Sequence, residues 1–468
     1  MPEARPEATT LVMAAASEPP PSAATLIARA AALRPLLVEQ QAETEARTYY
    51  SESTHQAFLD AGFYRMFVPR RFGGYEVDLP TFYQVIMEIA RGCPSTAWCL
   101  CLGSGHSLQV GAWFGERAQA ELFGDGDFRC VAVGAPAGSA RPTADGWELS
   151  GTWSYGSGAP YATHLMGHTF ADDGTANGAS RRSLLFIAPR SEWRMLDDWG
   201  DTLGLRGSGS QSIEIDRGRI PDDFVLEGIS MVDVDVSGGT PGSRLHGNPL
   251  YGGRTTSFFQ GELSAIMIGA VRGAIDAYQE LLMTRATPLP PIVPRRSDPE
   301  YQRWLGSALA RVETAEAALV RMAQRYMELC RRNVEGAEPF SRKDDLLLGA
   351  VGREAMTLAW DVMHGIVFRT AGTSAARSGH RIERVFRDMA MGWGHLASVM
   401  GDWALRELGR EHLGETLATP PHLRGDSTGA VLDELCNAGF LERTGDVWRL
   451  PGAAVDPGGQ VPAETAES

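Results

Sequence analysis

Three short turns and two histidines hold the side chains of this 468-residue sequence best suited to chemistry. Gly156-Ser157-Gly158 flanks a hydroxyl with residues lacking a Cβ, so backbone N–H groups there can approach a planar ligand closely. Spacing alone fits a plain hairpin turn equally well. Arg206-Gly207-Ser208-Gly209-Ser210 is a second turn, with guanidinium and hydroxyl donors that suit phosphate or ring-carbonyl oxygens. Taken by itself, it too reads as a turn. Arg369 with Gly372-Thr373-Ser374 sets a cation beside small donors, which fits an anion or an exposed helix end with its usual basic residue. His106 and His395 each close an apolar segment. A histidine so placed is more often a satisfied core residue than a catalyst, although a pKa of about 6.5 suits either proton transfer or hydrogen bonding near neutral pH.

These residues depend on three blocks of elements. Residues 1–22 form a Pro-, Ala- and Ser-rich lead, expected to be disordered and lacking the basic and apolar regions of a signal peptide. Residues 23–127 carry helical periodicity, with Leu26, Ala30, Leu33, Leu37 and Val38 on one face of the first helix. Ser51 and Gly62 are the expected caps of a second helix. The stretch 94–114 is apolar nearly all round and reads as one central helix. Residues 128–230 change to a period of two, with Trp147, Leu149, Trp153 and Tyr155 alternating behind an Ala-Asp-Gly turn, which predicts a β-domain. A Gly/Asp/Ser-rich linker is expected over 231–247. A helical bundle follows over 248–415, and its longest helix carries Trp304, Ala308, Val312, Ala315, Leu319, Met322, Tyr326 and Leu329 on one stripe. Residues 416–468 read as a helix and short hairpin, partly disordered. The fold class is α+β.

Composition narrows the function. Hydrophobic residues at 43% and charged residues at 22% describe an ordinary globular chain. A net charge of −15 gives no electrostatic support to a nucleic-acid or anionic-membrane role. The pairs Arg181-Arg182, Arg295-Arg296 and Arg331-Arg332 read as solvated surface. No apolar run reaches the roughly 18 residues of a membrane span. The six cysteines lack metal-ligand spacing, so no metal is expected and they read as reduced core residues of a cytoplasmic protein.

Segment 381–395, RIERVFRDMAMGWGH, resembles the flavin-contacting C-terminal helix of the acyl-CoA dehydrogenase superfamily. There an Arg-Asp pair precedes a Tyr-Glu-Gly-Thr signature whose Glu removes the substrate α-proton. Here Arg387-Asp388 is followed by Gly392-Trp393-Gly394-His395, with no Glu in reach. Segments 151–158 and 201–216 resemble the superfamily's turns that line the flavin, 248–278 resembles its entry into the C-terminal bundle, and 61–100 resembles the N-terminal signature of its hydroxylase branch. This group D branch includes the oxygenase components of p-hydroxyphenylacetate hydroxylase, secosteroid hydroxylases and dibenzothiophene monooxygenase.

The resemblance implies an acyl-CoA dehydrogenase-like fold and the oxygenase component of a two-component flavin-dependent monooxygenase. Reduced FMN, or alternatively FAD, would come from a separate reductase by diffusion. With O2 as co-substrate it would form a C4a-hydroperoxyflavin that hydroxylates an aromatic or polycyclic small molecule. His106, Ser157 and His395 take catalytic roles in this reading, with Ser157 near flavin N5 and one histidine on the peroxide. Trp153, Ser157, Gly158, Ser208, Ser210, Arg369, Gly372 and Thr373 would bind the cofactor, and Tyr251, Phe258, Phe259 and Trp393 would wall the substrate pocket. A homotetramer is implied as well. No GxGxxG fingerprint follows a strand, so a nicotinamide site is not expected. An amine- or amino-sugar-oxidising monooxygenase, an acyl-CoA dehydrogenase and a non-catalytic flavin-binding protein are the other readings.

Overall fold

The computed structural model describes residues 19–124, 126–172, 182–229, 231 and 234–414, with the strand pair 442–444 and 447–449. Helix ends follow capping chemistry. The hydroxyl of Ser22 accepts from the Thr25 amide to start α1 (Ala23–Glu39), and α2 (Gln41–Arg47) follows. Ser51 caps α3 (Glu52–Ala61) by accepting from the Thr54 amide, and Gly62 ends it at φ 78°. Asp78 caps α4 (Leu79–Gly92). The apolar stretch expected as one helix is two, α5 (Pro94–Gly105) and α6 (Ser107–Trp113), divided at His106. Gly103 and Gly105 weaken the last turn of α5, and the His106 ring is drawn to the Cys130 carbonyl. α7 (Glu116–Phe123) completes this domain.

Eight strands follow: β1 (Cys130–Val133), β2 (Ser139–Thr143), β3 (Gly146–Gly156), β4 (His164–Phe170), β5 (Ser183–Pro189), β6 (Arg194–Met195), β7 (Gln211–Ile220) and β8 (Val225–Glu227). They make two four-stranded sheets, ordered β1-β4-β5-β8 and β2-β3-β7-β6. Among the described strand pairs β1–β4 is parallel and the others antiparallel, with one further isolated parallel bridge between Ala140 and Ala171. Trp153 of β3 ties the sheets together, standing edge-on to Phe186 at 5.2 Å and donating its indole N–H to the His168 carbonyl. The expected alternation fails at Tyr155. The β3–β7 register shifts between Trp153 and Gly156, Tyr155 takes φ 64°, and its ring is turned out, 68% exposed.

The expected linker contains a short helix, α8 (Pro241–His246). Thr240 and Ser243 form a reciprocal capping box there, with Pro241 at the first turn, which is enough to nucleate it. The bundle comprises α9 (Thr256–Thr284), α10 (Pro299–Val334), α11 (Arg342–Val362), α12 (Arg369–Ala371), α13 (Arg381–Trp393) and α14 (Leu396–His412). A π-helical segment, Met363–Phe368, joins α11 to α12. In α10 the stripe from Ala308 to Leu329 is buried and Trp304 partly so.

α9 is buried along most of its length and packs hard on α4. A Cβ at Gly261 would lie 2.2 Å from the Tyr83 hydroxyl, and one at Gly269 2.3 Å from the Met87 carbonyl. Tyr83 donates to the Phe258 carbonyl at 2.8 Å, and Arg91 grips Asp276 through two 2.7 Å bonds. The first and last helical blocks therefore share one core. β9 (Glu442–Thr444) and β10 (Val447–Arg449) pair antiparallel, while the helix expected before them lies outside the described residues. Among the described residues no helix is long and apolar enough to cross a membrane.

Candidate active site

The turn after β3 and the turn before β7 are zipped together. Gly158 N–H donates to the Ser208 carbonyl at 3.0 Å, and Ala159 N–H to the Gly209 carbonyl at 3.3 Å. This pairing lines up three hydroxyls: Ser157 Oγ lies 2.8 Å from Ser210 Oγ, which lies 2.6 Å from Ser208 Oγ. α5 closes on the turns from the other side. The Cys99 thiol donates to the Ser208 carbonyl at 2.9 Å, and Trp98 Nε1–H donates to Ser157 Oγ at 3.0 Å. An indole can only donate, so the Ser157 oxygen must accept there. One lone pair and one proton remain on Ser157 to share between Ser210 and a bound group.

α13 supplies the third wall. Asp388 accepts from Leu205 N–H at 2.7 Å with one oxygen and from Ser95 Oγ–H at 3.0 Å with the other. Burial pushes its carboxyl up to about 7 against the pull of these two donors. Gly204 passes so close to α13 that a Cβ would lie 2.0 Å from the Arg387 carbonyl. Arg387 pairs with Glu45 at 2.7 Å and with Glu383, and Arg384 joins Glu45 at 3.1 Å. The Arg-Asp pair thus fastens α13 to the loop that carries Ser208 and Ser210. That anchorage brings the His395 ring edge-on to Trp98, with centroids 5.2 Å apart and planes at 73°.

His106 stands further along α5. Trp98, Leu102 and His106 share one face at helical spacing, and eight residues of rise separate the ends by roughly 12 Å. The two histidines are therefore not a contacting pair. His106 Nδ1 lies 2.8 Å from the Cys130 carbonyl and donates to it, which makes Nε2 the acceptor nitrogen of the neutral ring. Desolvation lowers His106 to about 4, so it is neutral near pH 7. His395, at the exposed end of the segment, is pushed below its ordinary value by the groups packed around it. Between them Leu102 is only partly buried. Gly103 is buried, yet a Cβ on it would meet no atom within 4 Å. A hollow therefore adjoins this glycine on α5, the helix that also carries Trp98 and is capped by His106.

Comparison with known proteins places this geometry in a family. The acyl-CoA dehydrogenase N-terminal domain matches residues 28–123, and the acyl-CoA dehydrogenase C-terminal domain matches residues 262–399. The chain belongs to the acyl-CoA dehydrogenase superfamily. A pigment production hydroxylase of a Rhodococcus species is 28% identical over 78% of this chain and 90% of its own length. The oxygenase subunit HsaA of a flavin-dependent monooxygenase from Rhodococcus jostii is 28% identical over 79% of this chain and 94% of its own. Among solved structures, XiaF from Streptomyces sp. superposes with a TM-score of 0.76 at 21% identity, over 85% of this chain and 97% of that one.

Within this acyl-CoA dehydrogenase fold, the structure gathers Ser157, Gly158, Ser208, Ser210 and His395 around Trp98. It does not bring Trp153 to them. That ring is fully buried between the sheets with its N–H spent on His168, because the bulge after it rotates the strand end away. Phe259 faces His106 at 6.2 Å, whereas Phe258 packs among Phe67 and Phe82 in the core. The fully buried Tyr251 donates to the Phe67 carbonyl at 3.0 Å. Trp393 lies under the Arg353 guanidinium at 4.0 Å and stacks on Trp360. Arg369 bonds back to Gly365 and covers Trp304, while Arg206 bonds back to Thr202. Gly372 ends α12 at φ 95°, followed by Thr373. These last residues form a separate group from the serines. Trp98 and Cys99 were not singled out by sequence, and their one signal was Trp98 standing eight residues before His106 on the same face. A wider cleft, about 650 Å³, is bordered by Arg70, Arg71, Glu76 and His246, and includes none of the serine group. Its arginines are already paired, with Glu76 and Glu116.

Proposed function

We propose that this chain is the oxygenase component of a two-component flavin-dependent monooxygenase, acting on an aromatic or polycyclic small molecule. The observation that carries the reading is the Trp98 node, where one indole holds the Ser157 hydroxyl and meets His395 edge-on. On this reading Ser157 borders the flavin and His395 takes the place of the dehydrogenase Glu. The open space beside Gly103, on the helix whose Trp98 and Cys99 touch the glycine-bordered hydroxyl turn, supports this reading. Ser157, Gly158 and Ser210 would hold that edge. When bound, the reduced flavin supplies two electrons, so that dioxygen yields one inserted oxygen atom and one water.

The chain's own residues position and protect. Trp98 N–H fixes the Ser157 oxygen and lowers its basicity, so Ser157 holds a ring N–H without removing its proton. Ser208 is fully buried and backs Ser210, so the hydroxyl row is closed to solvent at its inner end. His395, edge-on to Trp98, can hydrogen-bond toward the reacting oxygen. Neutral His106, with Nδ1 donating to Cys130, has Nε2 as its acceptor, which suits a phenol whose ring gains electron density as its proton is drawn away. Both oxygens of Asp388 are committed to Leu205 and Ser95, so it serves as an anchor and not as the base that abstracts an α-proton.

Relatives named as oxygenase components support a separate reductase as partner, with reduced FMN or FAD arriving by diffusion. A homotetramer is the assembly that goes with this reading. The test is isotopic: protein, chemically reduced FMN or FAD and ¹⁸O₂ are mixed with a panel of phenols. The expected result is a product carrying a single ¹⁸O atom. Oxidised flavin and hydrogen peroxide alone, across the whole panel, would refute the reading.

A further inference from the structure

The last turn of α13 is loose by sequence. Gly392-Trp393-Gly394-His395 sets two residues without a Cβ around one large ring, and such backbone has little conformational preference of its own. Gly394 N–H donates to the Ala390 carbonyl and His395 N–H to the Gly392 carbonyl, each at 3.2 Å. Ser398 closes the turn from α14, donating its N–H to the His395 carbonyl at 2.8 Å and its hydroxyl to the Gly392 carbonyl at 3.2 Å. All four bonds run within residues 390–398, so they shape the turn without fixing it against the rest of the bundle. The Trp393 ring is the large side chain between the two glycines, and what holds it directs the imidazole two residues on.

Two side chains of α11 meet that ring. Trp360 stacks on it with centroids 5.9 Å apart and planes at 15°, and the stack runs on through Phe386 to Phe368. Arg353, two turns earlier on α11, lays its guanidinium over Trp393 at 4.0 Å. This arginine is 8% exposed, and its Nη1 has no hydrogen-bond partner. Its ion pair with Asp402 is long, 3.7 Å, and that carboxylate is 73% exposed and so screened. Gly401 of α14 makes room for it, since a Cβ there would lie 3.0 Å from Arg353 Cδ. A buried cation with a bare nitrogen and a screened ion pair is costly. The contact its surroundings do supply is a flat guanidinium on an indole face, the arrangement for which arginine is suited and lysine is not.

We propose that Arg353 is the positioning residue for His395. Its guanidinium fixes the Trp393 ring, the ring fixes the glycine-flanked turn, and the turn holds the imidazole edge-on to Trp98 at 5.2 Å. Arg353 touches no reacting group in this scheme and acts through His395. The inference rests on the monooxygenase reading for what the held imidazole does, and on the geometry alone for the holding.

The test has two arms, both on the full-length protein carrying Arg353→Met, which fills similar volume without the charge. The first follows hydrogen exchange of the flavin-free protein by peptide mass spectrometry. Exchange over residues 393–398 is expected to rise about tenfold, the shift that loss of a desolvated cation–π contact brings, while 381–391 stay as in wild type. Asp402→Asn, which removes only the exposed ion pair, should leave exchange unchanged. Arg353→Lys keeps a cation without the flat fork and should fall between wild type and Arg353→Met; it carries the test should Arg353→Met not fold. Exchange equal to wild type in the Arg353 variants, or the same rise in Asp402→Asn, would overturn the proposal. The second arm measures the lifetime of the transient flavin spectrum after reduced FMN meets oxygen. Arg353→Met is expected to shorten it, and to shorten it no further when added to His395→Ala. A merely structural arginine would shorten it in the His395→Ala background as well, and that result also overturns the proposal. A wild-type protein that shows no transient refutes the monooxygenase reading, and the exchange arm then decides the positioning by itself.

Discussion

The indole N–H of Trp98 donates to Oγ of Ser157 across 3.0 Å, and this one bond couples α5 to the turn that ends β3. The same ring meets His395 edge-on at 5.2 Å, so residues from three regions of the chain are set by one side chain that is 2% exposed. Trp98→Phe deletes the donor and puts a smaller aromatic ring in place of the indole. It should cost about 1–3 kcal/mol of stability in denaturant unfolding, from the lost bond and the space left behind. It should also raise the hydrogen peroxide released per reduced flavin consumed, because the Ser157 oxygen loses its fixed donor. Unchanged peroxide yield would mean that the bond is structural only.

Gly103 separates stability from cofactor binding. Its Cβ would meet no protein atom within 4 Å, so Gly103→Ala should stabilise the helix by about 1 kcal/mol. If a flavin ring fills that hollow, the methyl group intrudes on it and flavin affinity falls. Thermal melts of the free protein and fluorescence titration with FMN distinguish the two effects. A variant that is stabilised and binds flavin normally would place the ring elsewhere.

Asp388 gives the fold a pH dependence of known sign. Its folded-state pKa of about 7 stands above the ordinary value of 3.8, chiefly through burial. The folded chain therefore holds this proton more tightly than the unfolded chain between those values. The contribution is complete below pH 3.8 and is lost as pH rises through about 7. Asp388→Asn mimics the protonated acid and keeps an acceptor for Leu205. Urea unfolding at pH 5 and pH 8 should show a smaller drop in the variant than in wild type. An identical drop would clear Asp388 of responsibility.

His106 acts in the opposite direction. Desolvation lowers it from 6.5 to about 4, so its contribution is full above pH 6.5 and is lost as pH falls toward 4. In His106→Gln the acid limb of the stability profile should flatten over that window. An imidazole resonance of His106 that titrates near 6.5 in an NMR experiment would contradict the buried, neutral assignment.

Much of this architecture is legible in the sequence, for local physical reasons. Ser51 and Gly62 signal a helix start and stop, and the stripe from Ala308 to Leu329 announces a buried helix face. The Gly-Ser turns and the Arg-Asp pair mark the site because each needs a particular residue type within a few positions. What escaped reading depends on tertiary contact. Trp98 lies in a run that is apolar all round, so nothing local distinguishes a core indole from one donating to a serine 59 residues away. Trp153 and Tyr155 share the parity of one strand, yet a register shift buries one and exposes the other.

The most direct test of the account is rapid mixing of the protein and anaerobically reduced FMN with oxygenated buffer, followed by flavin absorbance. The account predicts a transient spectrum distinct from both reduced and oxidised FMN, long-lived in wild type and shorter-lived in Ser157→Ala and His395→Ala. Immediate formation of oxidised FMN, at the rate of the free flavin and alike in all three proteins, would contradict it.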